Sequence, residues 1–213
     1  MPAAGAARPP AQKKTLIARE RDDEERAAFR GEAARLDPAD LVFLDETSTP
    51  TTLTPLRARA PRGERAVCPV PRGRRTQVTL VAALSPAGLA APMLLEGALD
   101  RRAFDAWVAD ALVPTLRPGQ TVLCDNLAVH KSAAARRAIE ATGCELRFLP
   151  RYSPDCNPIE AAFAKVKQAL RRAEARTVEA LTAAAKPATE AVTAADARGF
   201  FAHAGYPLPA QLL

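Results

Sequence analysis

Three acidic residues stand in this sequence where carboxylates could act together on a phosphate group. Asp45 follows the apolar run Leu41–Leu44, and Asp125 follows a second apolar run, Val122–Cys124. Glu160 comes just after a turn with two prolines, at the start of a segment with helical periodicity. A two-metal phosphoryl-transfer site needs several hard oxygen ligands that are held by different parts of a fold. The pattern therefore predicts a carboxylate triad that binds two divalent metal ions.

The chemistry of such a triad follows from its charge. Three carboxylates within a few ångströms repel one another, so at least one should keep its proton unless a cation is present. Two Mg²⁺ ions would remove this repulsion, activate a water or a 3′-hydroxyl and stabilise the pentavalent phosphate. Mn²⁺ should substitute, because it accepts the same oxygen ligands. Taken singly, an Asp after a strand can cap a turn, and a Glu in a first helical turn favours the helix dipole.

The composition describes a basic chain that is large enough for one domain with a sizeable core. Of its 213 residues, 48% are hydrophobic and only 5% are aromatic, which predicts a core of small and aliphatic side chains. The formal net charge of +6 favours an anionic partner, and nucleic acid is the leading candidate. A GC-rich genome would produce the same bias towards Arg and Ala.

The cysteines and the hydropathy of the chain indicate its cellular compartment. The four cysteines show no C-x-x-C spacing and no paired histidine, so a zinc site is not indicated and a reducing compartment is favoured. No apolar run is long enough to span a bilayer, and the first ten residues have no hydrophobic signal core. We therefore expect a cytoplasmic protein that associates with the nucleoid when it is bound to DNA, and no membrane partner.

Alternating strand and helix patterns predict an α/β fold for this chain. Helices are expected at 16–36, 102–116, 132–142, 159–175 and 178–195, and strands at 41–44, 77–84, 92–95, 121–124 and 146–149. The first three strands should be antiparallel and the later ones parallel through helical crossovers, which gives a mixed sheet with flanking helices. The first and fourth strands can lie side by side in such a sheet, so Asp45 and Asp125 would be neighbours at one edge. Residues 1–36 are expected to form a flexible and helical N-terminal arm, and residues 37–213 the catalytic domain.

Basic residues cluster in two places that could contact DNA. Residues 49–75 form a Pro- and Arg-rich irregular stretch, where arginine forks could match phosphate oxygens, although a solvated mobile loop is the alternative. On the helix that begins near Glu160, four basic residues lie on the outer face and could track flanking DNA or only solubilise the helix: Lys165, Lys167, Arg171 and Arg172. The predicted DNA-contacting arginines are Arg57, Arg59, Arg62, Arg65, Arg72, Arg74 and Arg75.

Polar residues around the second and third acids have supporting roles. Asn126 could hold a carboxylate or a metal-bound water, and His130 could touch phosphate or the scissile strand, or make a hydrogen bond at a helix start. Lys131 is expected to contact phosphate rather than to catalyse. The turn 152–158 contains two prolines and an Asn, and we expect it to aim the helix of Glu160 at the other two acids.

Several separate segments of the sequence resemble one protein family. The segments LVFLDET, VLCDNLAVHK and LPRYSPDCNPIEAAFAKVKQALR, with PLRARAPRGERA and GFFAHAGY, occur in the family's order. They are similar to DDE-type transposases of the bacterial insertion sequence 630 / mariner-like superfamily, whose catalytic domain is ribonuclease H-like. Thirty-four residues, 126–159, lie between the second Asp and the Glu, which is the spacing typical of this branch. The resemblance implies that Asp45, Asp125 and Glu160 are the metal-binding catalytic acids.

The same resemblance implies an activity and a set of partners. A family member hydrolyses the phosphodiester at insertion-sequence ends, joins the freed 3′-hydroxyl to target DNA, and acts as a dimer or higher assembly on DNA. This chain departs from the family pattern at Arg151, where a second Pro is common, and at Ala58, where Gly is usual. No stretch before Leu36 has the pattern of the helix-turn-helix modules that recognise transposon ends, so a separately encoded helix-turn-helix partner is one expectation.

Two alternatives remain at the level of sequence. The chain could be a truncated transposase remnant that binds DNA without catalysis, which the intact triad disfavours. It could also be an aspartyl-phosphate phosphatase, since LVFLDET begins like a nucleophilic strand end. That chemistry usually needs a second Asp two residues after the first, and Thr47 occupies this place.

Overall fold

A five-stranded mixed sheet lies between two layers of helices in the computed structural model, which describes residues 18–71 and 75–208. The strands are β1 (Leu41–Ser48), β2 (Val78–Ser85), β3 (Gly88–Glu96), β4 (Thr121–Cys124) and β5 (Glu145–Phe148). The helices are α1 (Asp23–Ala33), α2 (Arg101–Trp107), α3 (Ala133–Glu140), α4 (Ile159–Ala173), α5 (Val178–Glu190) and α6 (Ala194–His203). Among the described helices, none combines the length and the apolar character that crossing a membrane requires.

The strand order is β3-β2-β1-β4-β5, and it confirms the predicted mixed sheet. β1 pairs antiparallel with β2, and β2 pairs antiparallel with β3. β4 lies parallel to both β1 and β5, with Phe43 of β1 opposite Leu123 of β4. The expected adjacency of the first and fourth strands is therefore also confirmed, and it brings the ends of two acid-bearing segments together.

Each face of the sheet has its own hydrophobic core. On one face, Phe43 and Leu80 pack with side chains of α4, α5 and α6, such as Phe163 and Phe201. On the other face, Leu44 packs with side chains of α2 and α3, among them Trp107. Successive residues of a strand point to opposite faces, so β1 sends alternate side chains into the two cores. This alternation also decides which helices the polar residues of β1 can meet.

The predicted N-terminal and C-terminal helices are wrong in extent. The helix expected at 16–36 covers only Asp23–Ala33, because the Asp22 carboxylate caps it by accepting hydrogen bonds from the backbone N–H groups of Glu24 and Glu25. Residues 16 and 17 lie outside the described part of the chain. The stretch 178–195 forms two helices, since the hydroxyl of Thr193 begins α6 with a capping box.

The helix predicted at 102–116 is also wrong beyond Trp107. The backbone continues as a π-helical turn over Val108–Leu112 and then as a 3₁₀ turn over Val113–Thr115. Pro114 has no N–H group and cannot extend an α-helix. The strand expected at 92–95 begins earlier, at Gly88, and holds Pro92 in its interior. This is possible because β3 is an edge strand, where a missing N–H leaves a ladder bond unmade on only one side.

Candidate active site

One pocket of about 270 Å³ is lined by all three predicted acids. Asp125 directly follows β4, as predicted, and Glu160 lies in the first turn of α4. The prediction that Asp45 ends its strand is wrong, because β1 continues to Ser48 through its antiparallel pairing with β2. The parallel pairing of β1 with β4 stops at Phe43, two residues before Asp45. The Asp45 side chain therefore projects from a strand interior, which is a more rigid position than a strand end.

Asp45 is a buried carboxylate among other carboxylates. Its Oδ1 accepts a hydrogen bond from the Glu46 backbone N–H at 2.8 Å, and its Oδ2 accepts one from the Asn157 side-chain amide at 2.8 Å. Burial, together with the negative charges of Asp125, Glu46 and Glu160, outweighs the backbone hydrogen bond and raises the pKa of Asp45 to about 7. Without a cation, this residue therefore holds a proton for much of its time at neutral pH.

Asp125 is held by a histidine that a further acid supports. His130 is completely buried, and its Nδ1 lies 2.6 Å from Asp125 Oδ1, which also accepts the Leu127 backbone N–H at 2.9 Å. His130 Nε2 lies 2.9 Å from Glu46 Oε2, although the two atoms are not aligned as a hydrogen bond, so we treat this contact as an ion pair. The His130 ring also packs against Phe104, with 4.9 Å between the ring centroids.

The charges in this chain of contacts support one another. Burial opposes a charge on His130, but the hydrogen bond to Asp125 and the nearby Glu46 carboxylate outweigh it and raise the pKa of His130 to about 9. Burial likewise opposes the charge on Asp125, yet the hydrogen bonds from His130 and Leu127 lower its pKa below the usual value. At neutral pH the cluster is therefore a protonated His130 between two carboxylates.

Two members of this site were missed or given a lesser role at the sequence level. Glu46 was not singled out, although a strand that continues past Asp45 would place Glu46 on the opposite face of the sheet by period-two alternation. Asn157 was interpreted as a turn residue, and its bond to Asp45 joins residues 112 positions apart in sequence. The suggested contact of His130 with phosphate is not possible in this structure, because no part of the His130 side chain is exposed.

The side chains present suit divalent cations in their donor chemistry. Asp45, Asp125 and Glu160 offer hard carboxylate oxygens, and both hydrogen bonds to Asp125 end on its Oδ1. Glu160 is exposed in the first turn of α4. As they stand, no three acidic, His or Cys side chains of residues 18–71 and 75–208 are arranged closely enough to hold a metal ion. The Asn126 side-chain amide points elsewhere, since it donates a hydrogen bond to the carbonyl of Leu149, the residue directly after β5.

The predicted DNA-contacting residues lie outside the lining of the pocket and in different environments. Lys131 is exposed and lies 5.8 Å from the centre of the Phe148 ring, while Lys165 pairs with Asp196 of α6. Lys167 is partly buried, and this burial, together with the positive charge of Arg171, lowers its pKa. The described arginines of the irregular stretch are all exposed, and Arg72 and Arg74 lie outside the described residues. The exposed ones are Arg57, Arg59, Arg62, Arg65 and Arg75.

A second groove brings an arginine of the irregular stretch together with arginines that the sequence places on the outer face of α4. It has a volume of about 380 Å³, and it lies between the irregular stretch and the exposed side of α4. Arg57 lines one wall, and Arg171 and Arg172 line the other. Three guanidinium groups around one groove form a positive surface that could accept phosphate.

Comparisons with known proteins show which sequence family and which solved structures this chain resembles. The sequence profile of the family described as DDE superfamily endonuclease matches residues 40–182. No curated protein has a detectable sequence match to this chain. Three solved structures of the Mos1 mariner transposase are similar in fold. A pre-cleavage Mos1 transpososome has 15% identity and a TM-score of 0.68, and the match covers 93% of this chain and 65% of that one.

The other two Mos1 structures extend the comparison. The mariner Mos1 paired end complex with Mg has 17% identity and a TM-score of 0.68, with 93% of this chain and 65% of that chain covered. The isolated Mos1 catalytic domain has 15% identity and a TM-score of 0.63, with coverages of 90% and 94%. The chain thus spans about 65% of the length of the chains in these complexes. The mixed sheet flanked by helices is the ribonuclease H-like fold of a transposase catalytic domain, as predicted.

Proposed function

Because this chain belongs to the DDE superfamily endonucleases, we propose that it is a metal-dependent DNA transposase in which Asp45, Asp125 and Glu160 bind two Mg²⁺ ions. The observation that carries this proposal is the single pocket to which β1, the end of β4 and the start of α4 each contribute one acid. Membership in the insertion sequence 630 branch is part of the same proposal, and it is supported by the sequence segments that resemble that branch.

When bound, the ions would polarise the scissile phosphodiester and make a water or a 3′-hydroxyl a better nucleophile. The chain's own residues prepare their ligands. The Glu46 backbone N–H and the Asn157 amide hold the Asp45 carboxylate, so that it enters the pocket in one orientation. His130 orients Asp125 by its bond to Oδ1, and the first turn of α4 presents Glu160 to the same pocket.

The substrate and the assembly are proposed from charge and from the relatives. The Mos1 structures include paired-end complexes with transposon-end DNA, and the net charge of +6 of this chain suits the same polyanion. Arg57, Arg171 and Arg172 would contact the phosphate backbone in their groove. We propose that two copies or a larger assembly act on DNA in the cytoplasm, at the nucleoid. A separately encoded helix-turn-helix partner for end recognition remains a prediction.

Mn²⁺ binding measured by calorimetry is the first test, because it requires no knowledge of the DNA ends. Glu160→Gln is the most informative variant, since this side chain is exposed and its replacement should leave folding unchanged. The matched control is Asp110→Asn, which removes an exposed carboxylate that does not line the pocket. We expect saturable binding by the native protein and by the control, and binding weakened at least tenfold in Glu160→Gln.

Nicking of supercoiled plasmid DNA with Mn²⁺ extends the test to chemistry. We expect Asp125→Asn and Glu160→Gln to lose at least a hundredfold in rate, while their DNA affinity stays within twofold of the native value. The proposal would be contradicted if the native protein binds DNA but does not bind Mn²⁺ and does not nick the plasmid. That result would favour the non-catalytic DNA-binding alternative.

A further inference from the structure

The segment that carries Asn157 and Glu160 is anchored to a helix from the other end of the sequence. This segment, residues 151–158, is called the α4 turn below, because α4 follows it directly. Arg26 of α1 places both ends of its guanidinium on Asp155, with Nη1–Oδ1 at 2.9 Å and Nη2–Oδ2 at 2.6 Å. Arg30, one turn later, adds a contact from Nη2 to the same Oδ2 at 3.0 Å.

The environment makes the Arg26–Asp155 pair stronger than an ordinary surface pair. Only 7% of the Arg26 side chain is exposed, although about half of the Asp155 side chain is. The hydrogen bond from Arg26 lowers the pKa of Asp155, and the same bond raises the pKa of Arg26. A fork-shaped contact with two parallel hydrogen bonds fixes both distance and orientation, which a single ion pair does not do.

A second contact fixes the α4 turn from the C-terminal side. The Tyr206 hydroxyl donates a hydrogen bond to the Cys156 carbonyl at 2.8 Å. Tyr206 is itself buried against Phe43 of β1, with 5.0 Å between the ring centroids. Within the described residues, the side-chain hydrogen bonds from the turn to the rest of the fold are those of Asp155 with Arg26 and Arg30, of Cys156 with Tyr206, and of Asn157 with Asp45.

The anchored residues lead directly to the pocket. Asp155 and Cys156 belong to the 3₁₀ turn Pro154–Cys156, and the next residue is Asn157, which binds Asp45. The Asn157 carbonyl then accepts the Glu160 backbone N–H at 3.3 Å. A displacement of Asp155 would therefore also displace Asn157, two residues later, and Glu160, five residues later.

We propose that Arg26 and Asp155 form a latch through which α1 holds the α4 turn, and with it Asn157 and Glu160, in position for catalysis. Both latch residues are positioning residues, because neither lines the pocket of the acids. The inference rests on the proposed function for the role of Glu160. The match to the family profile begins at residue 40, so the latch joins a helix before the matched region to a turn within it. Its physical consequence is that undocking of α1 would loosen the metal-binding acids.

The test compares Arg26→Gln and Asp155→Asn with a control variant that weakens the packing of α4 at a position away from the α4 turn. Lys165→Gln is that control, because it removes the ion pair between α4 and Asp196 of α6 and leaves the capping box of α6 and the α4 turn intact. Hydrogen exchange of peptides covering residues 151–160 reports on the turn without any metal. We expect exchange at least tenfold faster in both latch variants, and no change in the control.

Mn²⁺ affinity measured on the same proteins reports whether the latch acts on the site. We expect a loss of about tenfold in each latch variant. The double variant should lose no more than Asp155→Asn alone, because that replacement already weakens the contacts of Asp155 with both Arg26 and Arg30. Unchanged exchange in the latch variants overturns the latch. Faster exchange with unchanged Mn²⁺ affinity, or additive losses in the double variant, overturns its coupling to the site. A native protein that binds no Mn²⁺ overturns the proposed function, while the exchange comparison still decides whether α1 holds the turn.

Discussion

Replacing Glu46 by Gln tests whether a buried cationic histidine organises Asp125, the second of the three proposed catalytic acids. His130 is completely enclosed between Asp125 and Glu46, and its pKa is raised to about 9 against a usual 6.5. A buried imidazolium that keeps only one of its two carboxylates loses part of the attraction that offsets its burial. We therefore expect the pKa of His130 to fall by at least one unit in Glu46→Gln.

The size and the sign of the effect on stability follow from the same values. A rise in pKa from 6.5 to about 9 corresponds to roughly 3 kcal/mol in the free energy of unfolding, at about 1.4 kcal/mol per pKa unit. Because the folded value is the higher one, this contribution is complete below pH 6.5 and is lost as the pH rises through 9. Glu46→Gln should therefore be less stable than the native protein by about 1–2 kcal/mol at pH 6, and the difference should narrow above pH 9.

Two measurements check this expectation. The chain contains two histidines, so an NMR titration of labelled imidazole shows His130 beside a single reference signal from the exposed His203. Urea unfolding at several pH values then gives the stability difference. A native His130 that titrates below 6.5, or that stays neutral across the range, would refute the reasoning. An equal stability difference at pH 6 and pH 10 would refute it as well.

Three further predictions concern the pocket, the core and the groove lined by Arg57, Arg171 and Arg172. Since the pKa of Asp45 is about 7, Mn²⁺ must displace the proton of this carboxyl at low pH. The Mn²⁺ affinity measured by calorimetry should therefore be about tenfold weaker at pH 6 than at pH 8, and an affinity that does not change with pH would contradict this. Phe163→Ala opens a cavity beneath α4 and should cost about 3–5 kcal/mol in urea unfolding, whereas a loss below about 1 kcal/mol would mean that α4 is not held by this core. Arg57→Ala and Arg171→Ala should each reduce the slope of log affinity for DNA against log salt by about 1, and Arg137→Ala on the exposed side of α3 should leave it unchanged. Equal slopes in all of these arginine variants would mean that the groove does not contact DNA.

Much of the architecture was predictable because it depends on local patterns. Apolar runs and helical periodicity indicate the strands, most of the helices and their order, and short connections then leave few possible topologies. The mixed sheet and the neighbouring positions of β1 and β4 follow from that order. Element boundaries were harder to predict where a local signal competed with the pattern, as at the Asp22 cap, at Pro114 and at the capping box of Thr193.

The roles of individual polar residues depended on contacts that no local pattern contains. Asp45, Asp125 and Glu160 could be identified as candidates because their types, spacing and flanking motifs are features of the sequence. Glu46 and His130 meet only because β1 continues past Asp45 and turns Glu46 towards the α2 side of the sheet. The contact of Arg26 with Asp155 joins residues 129 positions apart. Burial raises the pKa of Asp45, whereas the contacts with Asp125 and Glu46 raise the pKa of His130 against the effect of burial. Both burial and these contacts are properties of the packed chain.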